Sequence, residues 1–128
     1  METRVDPPAV LLIAHGSRRQ SANDDLVQLA ELLRRTGKYG IVETAYLELA
    51  SPDIPMGGHA CVEQGARHVK LLPYFLSAGT HVVEDLQRHR DELSQRYPNV
   101  GFELCPPLGL HPLMVEIVLS RLEEGDHD

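Results

Sequence analysis

Apolar strand patterns alternate with amphipathic helical patterns along the chain. A continuous apolar run from Ala9 to Ala14 predicts a strand buried on both faces, as in a parallel sheet. Three further strands are predicted over about Ile41–Leu49, Val69–Pro73 and Val100–Cys105, and the mixed character of the second places it near an edge. We therefore expect an α/β protein, a single three-layer domain over residues 1–128 with a mostly parallel four-stranded sheet in the flavodoxin-like order 2-1-3-4.

Four helical patterns separate and follow these strands. Ser21 is expected to cap the first helix, and Gly37 to end it. The loop after the third strand is predicted to include Ser77–His81, and the acidic pair Glu84-Asp85 to lie at the N-terminus of the third helix. Proline suits the first turn of a helix, so the last helix is predicted to begin near Pro112.

Composition excludes several classes of protein. With 42% hydrophobic residues and 24% charged ones the chain is not expected to be disordered, and no apolar run is long enough to cross a bilayer. Residues Met1–Pro8 do not have the pattern of a secretory signal. The 12 basic residues against 19 acidic ones, a net charge of −7, disfavour nucleic acid as a partner. Cys61 and Cys105 are isolated, which fits buried small hydrophobes in a reducing cytoplasm.

Two histidines follow the strands that should lie at the centre of the sheet. His15 comes directly after the first strand, and His81 lies in the loop after the third. The carboxyl ends of parallel strands share one edge, so both imidazoles should face the same crevice. An imidazole can ligate a divalent metal or take a proton near neutral pH. Two ligands are too few for a closed structural zinc site, but they suit a metal that is held weakly and handed on.

Polar residues that could join this crevice also have ordinary interpretations. Glu48, at the end of the second strand, could add a carboxylate or be a plain exposed residue. Arg18 and Arg19 offer donors for carboxylate or phosphate. Phe75 could equally be core. The other histidines share no spacing and are interpreted as surface or helix-terminal residues: His59, His68, His89, His111 and His127.

Four segments of the chain resemble the class II chelatases of tetrapyrrole synthesis, specifically the short sirohydrochlorin chelatases of the CbiX type. They appear in the family's order and span nearly the whole chain. HGSR after the first strand, combined with PYFLSAGTH after the third, is the most specific pair. The matching segments are LLIAHGSR (Leu11–Arg18), AYLELASPDIP (Ala45–Pro55), EQGARHVKLLPYFLSAGTHVVEDL (Glu63–Leu86) and PLGLHPLM (Pro107–Met114).

The resemblance implies insertion of Co²⁺, Fe²⁺ or Ni²⁺ into sirohydrochlorin or a close relative, in siroheme or cobalamin-type biosynthesis, without ATP or an organic cofactor. It implies that His15 accepts protons and ligates the metal, and that His81 is the second ligand. Longer relatives carry two such halves, so a homodimer is implied here. Sirohydrochlorin carries eight carboxylates, and Arg18 is the residue expected to bind them. The macrocycle site would also be lined by Glu48, Phe75, Leu76, Ser77, Ala78, Gly79 and Thr80.

Two other functions use the same histidines. A phosphoryl-transfer enzyme of the histidine-phosphatase kind also has a His-Gly pair after its first strand, but it requires an arginine directly before the histidine, where this chain has Ala14. A non-enzymatic carrier of metal or tetrapyrrole would need the same weak, open site as a chelatase, so the sequence leaves this alternative open.

Overall fold

Strands and helices alternate strictly in the computed structural model, which describes residues 7–126. The predictions for His127 and for the segment before Pro7 lie outside these residues. No helix within the described part is long and apolar enough to cross a membrane. The elements are β1 (Ala9–Ala14), α1 (Gln20–Arg35), β2 (Val42–Tyr46), α2 (Ile54–Glu63), β3 (His68–Pro73), α3 (Thr80–Arg96), β4 (Gly101–Leu104) and α4 (Pro112–Glu123).

The four strands form one parallel sheet in the order β2-β1-β3-β4. This confirms the predicted order, including the place of β2 at an edge. Ile13 near the end of β1 is in register with Ala45 on β2 and with Pro73 on β3. The loops after β1, β2 and β3 therefore leave the sheet at the same edge, where an open parallel sheet binds its ligands.

Helices cover both faces of the sheet. Helices α2 and α3 pack over one face, where Leu11, Ile13 and Leu71 are completely buried or nearly so. Helix α1 covers the other face, against Val10 and Leu12. Burying one such side chain stabilises the fold by about 1.5–3 kcal/mol. The central strand β1 is buried on both sides, as its continuous apolar sequence predicted, and this rigid strand ends directly at His15.

Two helices begin earlier than predicted. The predicted cap at Ser21 is wrong, because α1 begins at Gln20 and Arg19 holds the N-cap position without a side-chain hydrogen bond. Helix α3 begins at Thr80, since Gly79 has the extended backbone of an N-cap. The acidic pair Glu84-Asp85 consequently lies beyond the first turn. His81 is the second residue of α3 rather than part of the preceding loop.

The other capping predictions are confirmed. Helix α1 ends before Gly37, which adopts a positive φ of 79°, and α4 begins at Pro112. Of the histidines outside the predicted site, His59 and His68 lie on the surface and His111 caps α4. The surface prediction for His89 is wrong, because its ring is half-buried on α3 and its Nδ1 is buried.

Candidate functional site

His15 leaves the sheet at the end of β1 and rests on a buried aromatic ring. Its imidazole stacks on Phe75, with the ring centroids 4.6 Å apart and the planes inclined by 28°. Phe75 is only 7% exposed and belongs to the core, whereas His15 itself is exposed. The interpretation of Phe75 as core is therefore confirmed, and its buried ring supports His15 from below while solvent reaches the imidazole from outside.

The loop after β2 contacts the backbone of His15 directly. The Glu48 N–H donates to the His15 carbonyl at 3.0 Å, and the Leu47 N–H donates to the Ala14 carbonyl at 3.0 Å. Gly16 makes this approach possible, because its φ is +97° and an added Cβ would lie 1.7 Å from the Glu48 carbonyl oxygen. Glu48 therefore contacts His15 through its backbone, from the loop after β2 rather than from the strand as predicted, and its side chain is exposed.

We expect Gly16→Ala to destabilise the fold by about 3 kcal/mol or more, through strained backbone and steric overlap with Glu48. Gly37→Ala is the matched control, since its φ is also positive at +79° but no atom lies within 4 Å of the added Cβ. Its expected effect is about 1 kcal/mol from the backbone alone. Urea unfolding of both variants measures the difference, and equal losses would contradict the contact between the two loops.

A buried asparagine that the sequence analysis missed holds the loop after His15. Asn23 Oδ1 accepts from the Ser17 N–H at 3.0 Å, and Asn23 Nδ2 donates to the Ser17 carbonyl at 2.8 Å. The Tyr46 hydroxyl in turn donates to the Asn23 carbonyl at 2.8 Å. Burial, with a smaller effect of Asp24, raises the pKa of Tyr46 and keeps this donor protonated. The sequence did contain a signal for this residue, because Asn23 lies on the same face of α1 as the buried Leu26 and Ala30.

Arg18 lines a cavity of about 310 Å³ between the start of α1 and the loop after β2. Ser17 and Tyr46 also line this cavity. The Arg18 side chain is exposed, and within residues 7–126 no carboxylate forms an ion pair with it. Its guanidinium is therefore free to bind an anion. Arg19 is also exposed, at the N-cap of α1.

The segment after β3 carries the remaining predicted site residues. Leu76 is 66% exposed; Ser77, Gly79 and Thr80 are also exposed, and Ala78 is half-buried. The chain after β4 anchors this loop, because the N–H groups of Leu108 and Gly109 donate to the carbonyls of Phe75 and Leu76 at 3.0 and 2.9 Å. This anchor was not predicted from the sequence.

His81 opens α3 at the same edge of the sheet as His15. Its side chain is fully exposed, and Nδ1 lies 3.8 Å from Glu84 Oε1. Because β1 and β3 are adjacent, the topology brings both histidines to the carboxyl edge. Within the described part of the chain no three His, Cys, Asp or Glu residues group to hold a metal ion. A shared two-histidine metal site stays a prediction.

Burial makes both cysteine thiols harder to ionise. Burial, with a smaller effect of Glu43, raises the pKa of the Cys61 thiol to about 12, and burial also raises that of Cys105. Cys61 is buried as predicted. The same prediction for Cys105 is only partly right, because Cys105 follows the edge strand β4 and is half-buried.

Comparison with known proteins places the chain in a family. The sequence model of the CbiX family matches residues 9–125, which include all four strands. The chain belongs to the CbiX family. It is 34% identical over 120 residues to the sirohydrochlorin ferrochelatase of Priestia megaterium, covering 94% of this chain and 45% of that relative.

Solved structures of similar proteins share the fold. The sirohydrochlorin chelatase SirB from Bacillus subtilis subspecies spizizenii, in complex with cobalt, superposes with a TM-score of 0.84 at 28% identity, over 93% of this chain and 51% of SirB. A CbiX protein from Marinobacter aquaeolei VT8 superposes with a TM-score of 0.75 at 27% identity, over 93% of this chain and 100% of that one. The chain spans about half the length of several curated relatives, among them the ferrochelatases of Priestia megaterium and Bacillus subtilis, and 91% of the sirohydrochlorin cobaltochelatase of Sulfurisphaera tokodaii.

Proposed function

We propose that this chain is a sirohydrochlorin chelatase, which inserts Co²⁺, or alternatively Fe²⁺ or Ni²⁺, into the tetrapyrrole. The observation that carries the proposal is the exposed His15 imidazole, stacked on Phe75 at the ligand-binding edge of a CbiX-family sheet. Relatives named sirohydrochlorin ferrochelatase and sirohydrochlorin cobaltochelatase support the substrate and the reaction.

Metal insertion needs a base and a weak metal site. Two pyrrole N–H protons leave the ring while the metal exchanges water and imidazole for four ring nitrogens. His15 and His81 together present the divalent ion, which is a substrate of the reaction. As the ion passes to the ring, the freed nitrogen of His15 accepts a pyrrole proton and releases it to water, and the second pyrrole proton leaves by the same route. Two imidazoles leave coordination positions open, so the ion can pass to the macrocycle. The reaction uses neither ATP nor an organic cofactor.

Binding of the ring draws on charge and on exposed apolar surface. Sirohydrochlorin is a polycarboxylate and the chain has a net charge of −7, so a local cation is required. Arg18 is exposed, lines the cavity beside α1 and has no acidic partner among the described residues, and it binds a carboxylate of the substrate. Leu76 and the loop Ser77–Thr80 lie against the macrocycle, with Glu48 at the opposite rim.

The proposed enzyme works as a homodimer in the cytoplasm. Curated relatives such as the ferrochelatase of Priestia megaterium are about twice as long as this chain. A second copy would supply the remaining wall of the substrate cleft. The free Cys61 and Cys105 thiols fit a reducing compartment.

An anaerobic assay with Co²⁺, Fe²⁺ and Ni²⁺ side by side tests the function. Sirohydrochlorin is supplied in large excess over protein, and the absorbance change on metalation is followed against protein-free controls. We expect many turnovers per chain with at least one metal. Formation of a single equivalent of protein-bound metallated ring, without further turnover, would identify a carrier and contradict the chelatase function.

A further inference from the structure

One leucine in the loop after β2 has a backbone conformation that suits glycine. Leu49 has a φ of +66°, and among residues 7–126 every other residue with a positive φ is a glycine. This left-handed region brings the Cβ of an L-residue too close to the following carbonyl oxygen, so a bulky side chain is seldom found there. Residues that are held in such a conformation cluster at active sites and ligand clamps. The backbone thus marks Leu49 as a candidate functional residue.

Backbone hydrogen bonds fix this conformation without help from the leucine side chain. Just before Leu49, the Glu48 N–H donates to the His15 carbonyl at 3.0 Å. Across the loop, the Tyr46 N–H donates to the Pro52 carbonyl at 2.9 Å. Leu49 is 54% exposed, so its side chain gains only part of the stability that a buried leucine gives. Since asparagine adopts a positive φ more readily than leucine does, the fold itself has little use for a leucine at this position.

The Leu49 side chain lines a cavity that also has a cation on its wall. This is the cavity of about 310 Å³ between the start of α1 and the loop after β2, which Arg18, Val27 and Pro52 also line. Val27 is 51% exposed on α1, so apolar surface is open on both sides of the cavity. Arg18 forms no ion pair with an acidic residue in the part of the chain that the structure describes. The cavity therefore offers apolar contact and a free guanidinium side by side.

This combination suits one ring of a tetrapyrrole together with its carboxylate arm. A pyrrole-derived ring has apolar faces and carries its charge on the arms, so it is recognised by an apolar wall beside a cation. About 310 Å³ is at the small end of ligand pockets, so the cavity holds one edge of the macrocycle and leaves the rest outside. Inorganic phosphate is a poorer match, because it has no apolar surface to bury against Leu49 and Val27.

The cavity lies next to the proposed base. Leu49 directly follows Glu48, whose backbone contacts His15. On the other side of β1, Leu76 is 66% exposed in the loop after β3. Neighbouring strands are about 4.8 Å apart, so the loops after β2 and β3 leave the sheet about 10 Å apart, with His15 between them. A macrocycle with one edge in the cavity therefore extends over His15 towards Leu76.

We propose that Leu49 and Arg18 together form a subsite for one carboxylate-bearing ring of the tetrapyrrole, with Leu49 against the ring and Arg18 on its carboxylate. The subsite determines which edge of the macrocycle lies towards β2, and it thereby positions the ring nitrogens relative to His15. This inference rests on the proposed substrate but not on turnover, because a carrier of sirohydrochlorin would use the same subsite.

Anaerobic titration of metal-free sirohydrochlorin into the full chain, followed by the fluorescence of the ring, tests the subsite without metal. We expect Leu49→Asn to raise the Kd at least ~10-fold, because asparagine keeps the loop conformation but places a polar group against the ring. Leu49→Met keeps an apolar side chain of similar volume, so its Kd should stay within ~3-fold of the unaltered value. Leu32→Asn on α1, where the leucine is 59% exposed, is the matched control and should leave the Kd unchanged.

Urea unfolding separates loss of contact from loss of structure. The midpoints of Leu49→Asn and Leu49→Met should stay within ~0.5 M of the unaltered chain, because the fold depends little on this side chain. A Kd that rises only together with a fall in the midpoint would assign Leu49 a structural role and overturn the subsite. An equal rise in Kd in both variants, or an unchanged Kd in Leu49→Asn, would also overturn it.

A double variant tests whether the two side chains bind the same ring. Arg18→Gln alone should raise the Kd at least ~10-fold. Adding Leu49→Asn to it should have an effect at least ~3-fold smaller than in the unaltered chain, because contacts to one ring are lost together. Effects that multiply independently would overturn the shared subsite.

The same titration keeps this inference distinct from the proposed function. Sirohydrochlorin binding that depends on Leu49, without turnover in the metal insertion assay, would reject the chelatase function and leave the subsite intact. Turnover with a Kd that does not depend on Leu49 would reject the subsite and leave the function intact. An unaltered chain that binds no sirohydrochlorin would reject the proposed substrate and the subsite with it.

Discussion

The His15→Ala variant is expected to insert Co²⁺ into sirohydrochlorin about 10²–10⁴-fold more slowly than the unaltered chain, the usual contribution of a positioned base. His15 is exposed at the end of β1 and its ring lies on Phe75, so the substitution removes an imidazole that faces solvent without opening the core. Initial rates from absorbance under anaerobic conditions, at saturating sirohydrochlorin, measure the effect.

His68→Ala is the control for this prediction. His68 is an exposed histidine on the same sheet, but it lies at the amino end of β3 and is bonded to Glu103 at 3.0 Å. Its replacement should leave insertion within about twofold of the unaltered rate. Loss of the stacking on Phe75 should lower the free energy of unfolding of His15→Ala by about 0.5–1.5 kcal/mol, too little to unfold the protein. An unchanged insertion rate in His15→Ala would reject the assignment of His15 as the base.

The sheet could be predicted because its strands appear in the sequence as short continuous runs of apolar residues. Ala9–Ala14 is apolar at every position, and only a strand covered on both faces tolerates that pattern, so the central place of β1 followed. The order of the strands was predicted as the flavodoxin-like one that alternating strands and helices commonly adopt. The extent of the domain over residues 1–128 stays a prediction.

The first residues of the helices were harder to predict, because backbone conformation and not a capping side chain determines them here. Gly79 is the N-cap of α3 through its extended backbone, without a side-chain hydrogen bond. Near the start of α1, the Asn23 side chain is hydrogen-bonded to the backbone N–H and carbonyl of Ser17. A search for a side-chain cap therefore placed the start of α1 too late. Helix α3 also begins about one turn earlier than predicted, so His81 lies on the helix and not in the preceding loop.

The position of the candidate site was predicted from the sequence, whereas the contacts that hold its residues in place were found only in the structure. The edge shared by His15 and His81 follows from the parallel arrangement of β1 and β3, which the alternation of strand and helix patterns predicts. The stack of His15 on Phe75 and the contact of Gly16 with Glu48 join segments that are distant in sequence.

Replacing His81 by alanine should raise the Co²⁺ concentration needed for half-maximal insertion by at least ~10-fold, because a site that loses one of two imidazoles holds the ion more weakly. His81 is fully exposed on the first turn of α3, so its loss should leave the thermal unfolding temperature nearly unchanged. The measurement is insertion rate against Co²⁺ concentration, with Co²⁺ binding followed separately by isothermal titration without tetrapyrrole. His68→Ala is again the control.

The pattern of effects separates the two histidines. If His81 is a metal ligand only, saturating Co²⁺ should largely restore the turnover of His81→Ala, whereas no concentration of Co²⁺ should restore His15→Ala, which lacks the base. A His81→Ala variant with unaltered Co²⁺ affinity and turnover would remove His81 from the site. In that case, His15 would act with a ligand from elsewhere at the edge, and Glu48, already bonded through its backbone to His15, would be the next residue to replace.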